Sequence, residues 1–185
     1  MTGASKKVTV DNNALKTGDN GGIIREQSKK PITKITDSAI NRVAKVDIPT
    51  YTGEQCEIIQ QKHKELLQYS RDKNNNNEVA FALNGNFESL TPILGDEEGV
   101  NLSSLQSKGL NLTVMHNHPK NSSFSNQDIN IFIDMDTIRT LTIIKNNGKM
   151  ECITKLPGTS KEDMSILWKR SLSIEMKRVN QNYKK

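Results

Sequence analysis

The chain has 185 residues and a mass of 20.7 kDa, enough for one ordinary domain with a tail and a core of about 100–150 residues. Hydrophobic residues make up 34%, aromatics 4% and charged residues 25%, with a mean hydropathy of −0.64; this is lean in apolar material and predicts that part of the chain stays outside the packed core. No apolar run approaches the ~18 residues a membrane span needs, no apolar stretch follows Lys6 and Lys7 as a secretory signal requires, and a soluble, cytoplasmic protein is expected.

The net charge of +5 is unevenly spread: residues 1–50 hold nine Lys/Arg against five Asp/Glu, 161–185 seven against three, and 51–160 ten against thirteen. The basic excess therefore sits at the ends, which are expected to be solvating charge, and the acidic middle excludes a broad nucleic-acid face. Cys56 and Cys152 are too far apart for a zinc knuckle and too few for a disulfide framework, so reduced core thiols are expected. Asparagine occurs twenty times, a bias expected to reflect AT-rich coding.

Residues 1–48 contain no aromatic residue, carry Gly21-Gly22 and show little periodicity beyond a short helix from Asp37 to Val46. They read as a flexible arm or linker, because ordering backbone costs roughly 1–2 kcal/mol per residue and little apolar surface is present to offset it. The folded domain is expected over 49–185. Thr52 and Gln55 have capping-box spacing, and Ile59, Leu66 and Leu67 follow at helical spacing, which predicts a helix over 53–70 ended by the run Asn74–Asn77. His63 falls near its apolar side and reads as a half-buried core residue. From Glu78 to Leu83 the period becomes two, and Asn84-Gly85 predicts a hairpin to a strand over Phe87–Leu94. An acidic turn (Gly95–Val100), a short helix (Leu102–Lys108) and a strand (Leu110–Met115) that delivers His116 come next. Ser125–Met135 reads as a helix with Ile129, Phe132 and Ile133 inward, and Thr140–Ile144 and Met150–Lys155 as a hairpin about Asn146-Asn147-Gly148. A final helix over 160–183, capped by Ser160 and Asp163, carries Met164, Trp168, Leu172, Met176 and Val179 in a stripe expected to pack on the sheet. This order predicts an α/β fold, a mixed sheet covered by helices.

The chemistry concentrates in Val114–Ile129. In an extended chain residues i and i+2 share a face, so His116 and His118 can turn their rings onto one point while Asn117 faces away. Pro119 ends the strand, and Asp128 falls on the first turn of the following helix, where its carboxylate can supply a third ligand to Zn2+ and leave a position open to water. Zinc lowers the pKa of a bound water to about 7, and a general base must take that proton; Glu78, heading a core strand, is the candidate, with Glu88, Glu97 and Glu98 as rivals. Ser125-x-x-Asp128 is equally a plain helix-capping box.

Glu78-Val-Ala-Phe-Ala-Leu, His116-Asn-His118-Pro and Ser125-Asn-Gln-Asp128 together resemble the motif of the JAMM (JAB, MPN+) zinc metalloprotease family, most of all RadC-like proteins and phage or prophage JAB-type domains. The resemblance covers roughly 78–155, with one residue fewer than usual between the second histidine and the serine, and Phe81 where many members have glycine. It implies a three-layer JAB/MPN-like (cytidine-deaminase-like) fold and a zinc metallopeptidase or isopeptidase. By resemblance His116, His118 and Asp128 are zinc ligands, Glu78 is the general acid/base, and Ser125 steadies the oxyanion. A protein or peptide substrate and a phage or bacterial protein partner are implied, with no membrane. The alternatives are a catalytically silent binding or assembly module and a RadC-like nucleic-acid-associated protein.

Overall fold

The computed structural model describes residues 30–182, with side chains described over 30–173. The elements run α1 (Asp37–Arg42), α2 (Gly53–Lys73), β1 (Val79–Leu83), β2 (Ile93–Leu94), a 3-10 turn (Ser103–Ser107), β3 (Leu112–His118), α3 (Asn126–Asp134), β4 (Ile138–Lys145), β5 (Met150–Thr154) and α4 (Lys161–Asn182). The strands form one mixed sheet in the order β2-β1-β3-β4-β5. Only β3 and β4 are parallel, joined by the α3 crossover; the other neighbours are antiparallel.

Side-chain alternation gives the sheet two apolar faces. Leu83, Met115 and Ile144 meet α1 and α2, together with Ile59, Leu66 and Leu67 from α2. Ala80, Ala82, Leu112, Val114 and Leu141 face the other way, against Phe132 and Met135 from the α3 region and Leu102 and Leu105 around the 3-10 turn. The architecture is therefore mixed α/β, with the sheet between two apolar layers. The central strand β3 is buried at all seven positions, as a strand covered on both faces must be.

The capping box opening α2 is formed: Thr52 Oγ1 accepts from the Gln55 amide at 3.2 Å and Gln55 Oε1 from the Thr52 amide at 2.9 Å. Asn74 caps the far end, and Asn75 and Asn76 take φ of 50° and 64°, a left-handed conformation asparagine tolerates better than most residues. His63 is fully buried rather than half-buried, with Nε2 2.7 Å from Thr142 Oγ1.

Four expectations are corrected. The packed unit begins at Pro31, and Ile35, Ala39, Ile40, Val43 and Ile48 are buried, so 31–48 belongs to the domain and not to the arm; residues 1–29 lie outside the described residues. The predicted strand Phe87–Leu94 shrinks to Ile93–Leu94 and a single bridge between Leu83 and Ser89, because Phe87 is left-handed (φ 64°) and Pro92 has no amide to donate. Strand β3 runs on to His118 instead of stopping at Met115. Finally, α4 packs chiefly against α3, with Trp168 and Leu172 beside Asn130 and Ile133, and of the expected stripe only Met164 among the described side chains reaches the apolar cluster on the sheet face; Met176 and Val179 lie outside the described side chains. No described helix is long and apolar enough to cross a membrane.

Candidate metal centre

His116 and His118 share the parity of Leu112 and Val114, and Glu78 that of Ala80 and Ala82, so all three fall on the face covered by α3. Ser125 caps α3 and places Asp128 in the first turn above them. The result is convergence: His116 Nε2 lies 2.9 Å from His118 Nε2 and 3.1 Å from Asp128 Oδ1, and His118 Nε2 lies 3.4 Å from Asp128 Oδ2. Ligand atoms around a tetrahedral zinc stand about 3.3 Å apart, so these two imidazoles and one carboxylate can hold a metal ion. The donors themselves do not select which metal.

The surroundings suit ligation. His118 Nδ1 lies 3.1 Å from the Ser122 carbonyl and 2.9 Å from Ser122 Oγ. A carbonyl only accepts, so Nδ1 carries the hydrogen and the neutral ring presents its Nε2 lone pair to the site. His116 is buried, with Nδ1 unpartnered among the described residues, and burial lowers its pKa. Burial also works against protonation of His118, but the Asp128 and Glu78 carboxylates outweigh it and raise its pKa. For Asp128 burial favours the neutral acid, yet the neighbouring His116 and His118 imidazoles hold it well below the usual carboxylate range.

Asp128 serves both the capping box and the donor set. Asp128 Oδ2 accepts from the Ser125 amide and Ser125 Oγ, each at 2.7 Å, while Ser125 Oγ accepts from the Asp128 amide at 3.1 Å. Oδ1 is left toward His116, while Oδ2 also faces His118. The Ser125 hydroxyl hydrogen is thus committed to Asp128.

Glu78 lines the same cavity of about 140 Å3, together with Ser125, Lys120, Glu97, Glu98, Leu102 and Ile131. It is 8% exposed, and its carboxyl makes no hydrogen bond to any described residue. Burial, and then the nearby Asp128 and Asp96, push its pKa up to about 7, opposed by His118 and Lys120. Of the rivals, Glu88 accepts from Asn84 outside the cavity. Glu97 and Glu98 stand in the lining, Glu98 2.8 Å from Lys120.

Two supports escape the motif. Ser122 is returned beneath His118 by a turn with Pro119 at its second position, closed by the Asn121 amide on the His118 carbonyl at 3.1 Å; the His-Pro-Lys-Asn run is the signal for it. Thr33 then ties that loop down: its amide donates to the Pro119 carbonyl at 2.8 Å and its hydroxyl accepts from Asn121 Nδ2 at 2.7 Å. No local signal marks Thr33. Compared with protein-family models, curated proteins and solved structures, the chain matches none.

Proposed function

We propose that the protein is a metal-dependent peptidase or isopeptidase of JAMM type with a JAB/MPN-like fold, and that zinc is its metal. The observation that carries this reading is the juxtaposition of a His-His-Asp donor set with a buried, unbonded carboxyl on one wall of one cavity. A structural metal site has no use for such an acid, whereas a hydrolytic site needs one. Bound zinc supplies Lewis acidity, which polarises a carbonyl and acidifies water near neutral pH.

Glu78 does the proton work. With a pKa near neutrality it takes a proton from the attacking water and returns it to the leaving nitrogen, a transfer favoured when the acid's pKa lies near the working pH. Ser125 donates to the developing oxyanion after its hydroxyl turns away from Asp128 Oδ2. A groove of about 840 Å3, sharing Gly99, Val100, Leu102, Gln127 and Ile131 with the cavity, has room for an extended chain beside the reacting amide.

The test has two arms. Zinc content of the purified protein is expected at one per chain, and lost in His116→Ala and Asp128→Ala. Glu78→Gln should keep the zinc and lose cleavage of a fluorogenic peptide library. Near-normal turnover by Glu78→Gln removes Glu78 from the mechanism, and a wild-type chain that takes up no zinc removes the reading altogether.

A further inference from the structure

Asn117, the residue between the two histidines, points to the opposite face of β3 and is fully buried. Its Oδ1 accepts from the Val79 amide at 2.7 Å. Its Nδ2 lies 2.8 Å from Asn146 Oδ1, 3.1 Å from the Asn77 carbonyl and 3.2 Å from Ser70 Oγ. The carbonyl of Asn77 and the amide of Val79 admit only one orientation of this side chain, since one must accept and the other donate. Four segments distant in sequence, the end of α2, the start of β1, β3 and the β4–β5 turn, thus meet on one amide.

We infer that Asn117 is a positioning residue, spliced into the ladder to set the base-bearing strand against the ligand-bearing one. The paired register of β1 and β3 stops at Ala80 and His116. One step further, where backbone pairing would continue, the Val79 amide is taken instead by the Asn117 side chain. Glu78 is the next residue. Its own carbonyl is fixed by Asn74 Nδ2 at 2.7 Å and by the Gly95 amide at 2.9 Å. A side chain inserted between two strands holds them further apart than a direct ladder bond does, and it does so where Glu78 and His118 need room for a metal ion and water between them. Asn146 closes the other side, its amide donating to the His118 carbonyl at 3.3 Å. The inference rests on the metal site proposed above, and Asn117 acts through the residues it holds.

The measurement is zinc affinity, by competition with a chromophoric chelator, well below the denaturation midpoint. Losing a residue that orients ligands weakens metal binding typically 10–100-fold, and that loss is expected for Asn117→Ala. Leu66→Ala, a core truncation in α2 that faces away from the site, is the control: it should lower stability at least as much and leave zinc affinity within about threefold. If Asn117→Ala also stays within threefold, or Leu66→Ala loses as much affinity, the inference is overturned while the zinc site stands. Binding and orientation are linked reciprocally, so hydrogen exchange at the Val79 amide of the unsubstituted protein gives a reading even if Asn117→Ala fails to fold. Zinc should slow that exchange more than it slows exchange at Ala82. Equal slowing at both, or none, overturns the inference; a chain that binds no zinc overturns both it and the proposed function.

Discussion

Glu78→Gln in the metal-free protein isolates the energetic consequence of burying an acid beside the His-His-Asp donor set. The Glu78 pKa moves from the ordinary 4.5 to about 7, a difference of 7 − 4.5, and at about 1.4 kcal/mol per unit the folded state disfavours the carboxylate by about 3 kcal/mol. Because the folded pKa is the higher one, the sign runs against alkaline stability. Below 4.5 folded and unfolded chains both hold the proton and there is no penalty. Between 4.5 and 7 the unfolded chain has released it and the folded chain has not, so stability falls as pH rises, and above 7 the full penalty is present. Glutamine keeps the shape without the charge. In urea titrations with chelator present, the variant should match the wild type near pH 4 and exceed it by roughly 2–3 kcal/mol at pH 8, water at the cavity mouth screening part of the effect. Added zinc should narrow the gap, since a cation beside Glu78 favours its charged form. A difference between the two proteins that stays flat from pH 4 to pH 8 refutes the reasoning.

Three further outcomes follow from other residues. Burial takes His63 down to about 3, so the unfolded state binds the proton more tightly and stability present above 6.5 is lost as pH falls toward 3, with a slope of about 1.4 kcal/mol per pH unit; His63→Gln should lack that acid-side slope in the same urea series. Ser125→Ala removes the α3 cap and should lower stability by about 1 kcal/mol and turnover by about 10²–10³-fold, with zinc content unchanged by elemental analysis. Thr52→Ala opens the capping box of α2 and should also lower the unfolding free energy by about 1 kcal/mol, without effect on zinc.

The elements governed by local chemistry were legible. The capping residues Thr52, Ser125 and Ser160 mark three helix starts, and strict alternation along β3, read at Leu112, Val114 and His116, puts both histidines on one face. The convergence of Asp128 followed from its place one turn into α3. What was not legible depends on partners far away in sequence. Ile35, Ile40, Val43 and Ile48 are buried through a six-residue helix and irregular backbone, which leaves no long period to detect. The asparagine excess that composition assigns to coding bias includes Asn74, Asn76, Asn117, Asn121 and Asn146, whose side-chain amides satisfy backbone groups around the site. A side-chain amide finding a carbonyl some forty residues away has no periodic signature.

The tether at Thr33 bears on how the chain can be shortened. A protein begun at Tyr51 would keep Glu78, His116, His118, Ser125 and Asp128 in its sequence, and so would pass any inspection of the motif. It would have lost four aliphatic side chains that back α2 and the strap across the Pro119 loop. The smallest autonomous piece is therefore longer than the stretch that carries the motif, and it reaches upstream to the low thirties.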